Sequence, residues 1–124
     1  MLAPVGMASS LEPRHPIQSK IDQVWLIQLE GVVQKNIKND LLTVTFLAHH
    51  LAMSKSSLLR QLKRLTGLSP SQYIQEARLQ KARQFIESGS LSSISEVARA
   101  VGYPNPRSFS RIFKKRFGKA PSQL

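Results

Sequence analysis

Arg60-Gln61-Leu62-Lys63-Arg64-Leu65-Thr66-Gly67-Leu68-Ser69-Pro70-Ser71-Gln72 returns further along the chain as Arg111-Ile112-Phe113-Lys114-Lys115-Arg116-Phe117-Gly118-Lys119-Ala120-Pro121-Ser122-Gln123. From 60 to 111 the offset is 51, and Arg60, Lys63, Gly67, Pro70, Ser71 and Gln72 each meet their own kind. Leu62 meets Phe113 and Arg64 meets Lys115, so character survives where identity does not. Upstream, Leu47, Ala48 and Leu51 fall opposite Val97, Ala98 and Val101 at an offset of 50, which leaves one more residue in the turn of the second copy. Two copies are too few for a solenoid, and each copy reads as helix, tight turn, helix. The chain is therefore expected to contain a duplicated supersecondary motif.

In the first copy a short apolar helix, Phe46-Leu47-Ala48-His49-His50-Leu51, precedes the turn Ala52-Met53-Ser54 and a basic helix. In the second, Glu96-Val97-Ala98-Arg99-Ala100-Val101 precedes Gly102-Tyr103-Pro104-Asn105 and a helix from Pro106 to about Phe117. Small Ala48 and Ala98 let the second helix approach the first, and Gly102 suits a left-handed turn position. These parts resemble a helix-turn-helix. Each second helix is two-faced, with Leu58, Leu62 and Leu65 inward in one and Phe109, Ile112, Phe113 and Phe117 inward in the other.

The outer faces begin with Lys55, Ser56, Ser57, Leu59 and Arg60, and with Arg107, Ser108 and Arg111. A recognition helix enters the major groove of DNA by its N-terminal end, so these are the candidates for touching bases. Arginine suits that work because its planar fork can donate two hydrogen bonds to guanine O6 and N7. Lys63, Arg64, Lys114, Lys115, Arg116 and Lys119 lie further along and are the candidates for phosphates, which supply affinity and salt dependence without sequence information.

Outward from the repeat, helix-start signals punctuate the chain. Thr43, Ser54, Ser69, Ser93 and Asn105 stand where a side-chain oxygen can accept an unpaired first-turn amide. Ser69 with Gln72, and Ser93 with Glu96, have the spacing of a capping box, and Pro70 and Pro106 sit where proline opens a helix. A lead-in helix is expected from about Asp22 to Lys38, since Leu26, Leu29, Val33 and Ile37 recur at helical steps. No hairpin turn of the Asn-Gly or Asp-Gly type occurs and strand alternation is brief, so the fold is expected to be all-α. The expected divisions are a flexible linker or expression remnant over 1–20, the lead-in helix over 21–40, a first helix-turn-helix over 41–68, a linking helix over 69–88 and a second helix-turn-helix over 89–124.

Composition narrows the class. The chain has 124 residues, enough for one compact domain or two very small units, and 18 Lys and Arg against 7 Asp and Glu give a net charge of +11. No acid lies between Asp40 and Glu76 and none follows Glu96, so the basic footprint coincides with the two second helices. A polyanion is the expected partner. With no cysteine, neither a disulfide framework nor a thiolate metal site can form, and with no secretory leader at Met1 to Met7 the expected place is the cytoplasm. No apolar run approaches the ~18 residues of a membrane span. His49 and His50 invite a metal, but adjacent histidines leave a helix in different directions and no third ligand is suitably spaced. There is no Gly-rich phosphate loop and no paired carboxylates, so neither an enzyme nor a cofactor is expected. A non-specific basic nucleic-acid-binding or architectural protein is the alternative, although only 6% of residues are aromatic and the late phenylalanines fall on the inward face rather than on a base-stacking platform.

From Leu42 to Leu124 the chain resembles the C-terminal DNA-binding domain of AraC/XylS-type transcription regulators. The resemblance rests on Leu47-Ala48, Met53-Ser54, Leu58, Arg60, Lys63, Thr66-Gly67-Leu68-Ser69-Pro70, Tyr73-Ile74, Arg78-Leu79, Ala82-Arg83, Ile94-Ser95-Glu96-Val97-Ala98, Val101-Gly102-Tyr103, Phe109-Ser110-Arg111, Phe113-Lys114-Lys115, Phe117-Gly118 and Pro121-Ser122. It implies two helix-turn-helix subdomains on a linking helix, reading double-stranded DNA in successive major grooves to regulate, and specifically to activate, bacterial transcription. It also implies an asymmetric target, a monomeric isolated domain within a regulator that can be dimeric, room for a contact with RNA polymerase, and a nucleoid-associated place in the cytoplasm. Phe46, where the family often has an acid, and Ser56, where some members have a bulkier residue, depart from the pattern, and Pro106 and Arg107 are individual to this chain. The lead-in helix resembles that of members appended to hybrid two-component regulators.

Overall fold

A computed structural model describes residues 19–124. Among these residues α1 (Lys20–Lys35), α2 (Val44–His50), α3 (Lys55–Thr66), α4 (Pro70–Ser88), α5 (Ile94–Ala100) and α6 (Pro106–Phe117) follow one another with no strand, and a 3-10 turn covers Pro121–Gln123. The all-α expectation holds. Nearly all of the flexible segment expected over 1–20 lies outside the described residues. Of its last two residues, Ser19 caps α1, its hydroxyl accepting the Asp22 amide at 3.1 Å, and Lys20 is the first helical residue.

Each helix opens on a side chain that accepts a first-turn amide: Ser19, Thr43, Ser54, Ser69, Ser93 and Asn105. Each cap of this kind contributes about 1 kcal/mol. The Ser69 capping box is complete, with the Ser69 hydroxyl accepting the Gln72 amide at 3.2 Å and the Gln72 side chain accepting the Ser69 amide at 2.9 Å. The second box differs from expectation. Ser93 accepts the Glu96 amide at 3.1 Å, but the Glu96 carboxylate turns to Ser92, accepting its amide at 2.9 Å and its hydroxyl.

α1 also stops earlier than its apolar period suggests, at Lys35 rather than Lys38. Asn36 closes the helix there, its side chain donating to Val32 O at 2.8 Å beside its own amide at 3.2 Å. Ile37 nevertheless stays 8% exposed, so burial continued the period beyond the helix.

Two cores lie along α4. In the first, Leu29 and Val33 of α1 meet Leu47 and Ala48 of α2, Leu58 and Leu62 of α3, and Tyr73, Ile74 and Ala77 from the early turns of α4. In the second, Leu79 and Ala82 from later turns of α4 meet Val97, Ala98 and Val101 with Phe109 and Phe113 of α6. Leu58, Leu62, Leu65, Phe109 and Phe113 are fully buried as expected, each contributing about 1.5 to 3 kcal/mol relative to exposure, while Ile112 and Phe117 reach only the edge of the second core. α4 therefore occupies in the second core the place that α1 holds in the first. The structural repeat has three helices where the sequence showed two. Even the opening of α4 recurs: the Ala120 amide donates to the Gln123 side chain at 2.7 Å, as Ser69 does to Gln72.

Candidate nucleic-acid interface

α3 and α6 are built alike from the cap onward. Ser54 Oγ accepts the Ser57 amide at 3.1 Å, and Asn105 Oδ1 accepts the amides of Arg107 and Ser108 at 2.9 and 3.2 Å. Neither first turn carries an acid, so the positive end of each helix is left uncompensated. Both helices end on a left-handed glycine, Gly67 with φ 77° and Gly118 with φ 81°.

Along the outer faces Lys55, Ser56, Leu59 and Arg60 are exposed on α3, as are Arg107 and Arg111 on α6; the matched pair Ser57 and Ser108 is half-buried. The Ser54 hydroxyl donates to Ser57 Oγ at 3.0 Å, and an Arg60 guanidinium nitrogen lies 3.5 Å from the same oxygen. Arg60 borders a groove with Trp25, Gln61 and Arg64, between α1 and α3. Arg111 borders a groove with Gln72, Glu76 and Lys115, between α4 and α6. The two arginines that the repeat superposes thus occupy matching places on the molecule.

Lys63, Arg64, Lys114, Lys115, Arg116 and Lys119 are all exposed. Lys63 Nζ donates to Gly67 O at 3.1 Å, closing the end of its own helix. Arg64 and Arg116 have a further role that the sequence did not show. Arg64 donates to Asp22 Oδ1 at 2.9 Å, tying α3 to α1. Arg116 donates to both oxygens of Glu76, at 2.8 and 2.7 Å, tying α6 to α4. α3 and α6 are thus each clamped near the C-terminal end by a carboxylate, from α1 in the first case and from α4 in the second.

The two turns are held differently. In the first, Trp25 Nε1 donates to Met53 Sδ at 3.3 Å. In the second, Tyr103 rests on Phe109 with ring centres 5.6 Å apart. Burial raises the Tyr103 phenol pKa, and the charge of Arg78 partly opposes the rise. His50 stacks on Phe46 and its Nδ1 lies 3.0 Å from Phe46 O. Among the described residues no group of three His, Cys, Asp or Glu side chains is placed to hold a metal.

The chain matches the family model described as a helix-turn-helix domain over residues 47–124. The solved structure of a transcriptional regulator from Chromobacterium violaceum, described as among AraC-type DNA-binding domain-containing proteins, superposes with a TM-score of 0.75 at 28% identity, covering 85% of this chain and 92% of that one. The chain belongs to the AraC/XylS-type helix-turn-helix family. It is 32% identical over 116 residues to histidine kinase P4 of Formosa agariphila, covering 94% of this chain and 8% of that protein. It is 35% identical over 78 residues to the HTH-type transcriptional activator RhaS of Escherichia fergusonii, covering 63% of this chain and 28% of that protein. It thus spans well under half of either curated relative. As a member of this family it is a DNA-binding domain of transcription regulation. No helix among the described residues is long and apolar enough to cross a membrane.

One clamp of this AraC-type domain is pH-sensitive. Burial pushes the Glu76 carboxyl up, but hydrogen bonds from Arg116 and Gln80 and the charge of Arg116 outweigh it and hold the group below the usual carboxylate range. Since the folded pKa lies below the unfolded one, near 4.3, the stabilisation is complete above that value and is lost as pH falls through the folded value. The Arg116 side chain is 45% exposed, so the contribution is screened to the order of 1 kcal/mol. As pH falls from about 6, urea unfolding should show wild type losing more stability than Glu76→Gln, by up to about that much. Parallel losses would remove the ion pair from the account.

Proposed function

We propose that the chain recognises a specific, asymmetric double-stranded DNA sequence by placing α3 and α6 in successive major grooves. The supporting observation is the matched exposure of Arg60 and Arg111 on recognition helices whose inner faces and C-terminal ends are fixed to the fold. In this reading Lys55, Ser56, Ser57, Leu59 and Arg60 face the bases of one element, and Arg107, Ser108 and Arg111 those of the other. Lys63, Lys114, Lys115 and Lys119 approach phosphates, joined by whatever donors Arg64 and Arg116 have left over. Residues 41–68 and 89–124 act as the two reading units and 69–88 as their connection. The reading assigns no catalytic step, cofactor or metal.

Activation of transcription, with a surface for RNA polymerase, accords with the activator named among its relatives. The resemblance over 94% of the chain to a small part of a histidine kinase supports a place as the output part of a longer two-component regulator, acting on the bacterial nucleoid in the cytoplasm. The isolated domain binds as a monomer in this scheme. Selection of bound duplexes from a random pool tests it. Two dissimilar elements centred about one helical turn apart, roughly 34 Å, are expected. A palindrome, or no enrichment, would overturn the reading.

A further inference from the structure

The two cores share α4, but the parts of the molecule also converge at one point beside it. Where the chain leaves α1, the carbonyls of Ile37 and Asn39 face α4, and Arg78 on α4 donates to both: Nε to Ile37 O at 2.9 Å and a terminal nitrogen to Asn39 O at 3.0 Å. Gly102, in the turn before α6, lies against the same group. A Cβ on Gly102 would stand 2.8 Å from Ile37 O and 2.9 Å from Arg78 Nε, and its φ of +93° is one that side chains rarely adopt. Ile37 belongs to the first core, and Tyr103, the residue after Gly102, packs on the second. One half-buried guanidinium therefore sits between the end of α1, the shared helix and the second turn.

No residue of this junction lies on either recognition helix, so altering it leaves both reading surfaces chemically intact. Arginine is suited to the place because its planar fork can hold two carbonyls in fixed directions, whereas a lysine ammonium is a single mobile point. A rigid mount has a consequence on DNA. Moving one element by a base pair shifts it by about 3.4 Å and turns it by roughly 35° about the axis, which a fixed pair of helices cannot follow.

We propose that Arg78 is a positioning residue that fixes the angle between the two recognition helices and thereby the spacing of the DNA elements that the chain accepts. This rests on the two-helix reading given above. The test uses the full chain, the duplex it selects from a random pool, that duplex with one base pair added or removed between the elements, and duplexes with one element scrambled. Wild type should prefer the selected spacing by about tenfold or more, the equivalent of a single well-made charged hydrogen bond. Arg78→Gln should lose about tenfold on the selected duplex, narrow the spacing preference to about threefold or less, and bind one-element duplexes within about twofold of wild type. Arg78→Lys should fall between the two. An unchanged spacing preference in Arg78→Gln overturns the proposal, as does a loss on one-element duplexes that matches the loss on the selected one. If wild type itself shows no spacing preference, the two-helix reading fails first and the role of Arg78 with it.

Discussion

Gly102→Ala is expected to lower the stability of the chain by about 3 kcal/mol and its melting midpoint by roughly 10 to 20 °C. About 1 to 2 kcal/mol of that comes from the left-handed backbone, in which a Cβ crowds its own carbonyl. The rest comes from the neighbours. Arg78 could swing away, but Ile37 O, 2.8 Å from the added atom, is backbone and cannot retreat without moving the end of α1. The matching residue of the first turn is Ala52, with φ 55° and an exposed side chain. Only backbone strain operates there, so Ala52→Gly should gain about the same 1 to 2 kcal/mol, less the roughly 0.4 to 1 kcal/mol that the freer unfolded chain takes back. Thermal unfolding of the two variants side by side reads both signs. A Gly102→Ala loss no larger than the Ala52→Gly gain would mean that the close approach to Ile37 carries no weight.

Removing both Arg60 and Arg111 should nearly abolish sequence preference while leaving general DNA affinity largely in place. Each arginine, paired in a plane with guanine, discriminates by about 1 to 3 kcal/mol. The two stand on separate helices with separate neighbours, so their effects should add to about 2 to 6 kcal/mol in Arg60→Ala/Arg111→Ala. Competition between the selected duplex and random DNA at one fixed salt concentration measures this, since affinities at different salt are not comparable. Lys114→Ala provides the contrast. Its loss should be the same on both duplexes and should flatten the salt dependence by about one counterion. An equal loss on random DNA for the arginine pair would place those side chains at phosphates instead of bases.

The residues that sequence reading found are those whose reason is local or repeated. The caps at Thr43, Ser54, Ser69 and Asn105 are legible because a hydroxyl or amide two or three residues ahead of an orphan amide is a pattern of adjacent positions. Arg60 and Arg111 are legible because the chain states them twice. What escaped is long-range. Arg64 and Asp22 are 42 residues apart, Arg116 and Glu76 are 40, and Arg78 and Ile37 are 41, and no period connects such partners. Glu76 offered one faint signal, as the acid that ends an acid-free stretch. The end of α1 is illegible for a different reason: Ile37 is buried by tertiary contact after its helix has ended, and burial is what the apolar period measures.

The same distinction governs α4. Its early turns close one core with Tyr73, Ile74 and Ala77, and its later turns close the other with Leu79 and Ala82. If either core melts, half of one continuous helix loses the tertiary cover on which helices of this length depend. The loss then propagates along the same rod into the other core. The chain is therefore expected to unfold in one transition, and a cut through the middle of α4 would leave two pieces, each lacking a wall. Neither copy of the duplicated motif is therefore expected to fold alone.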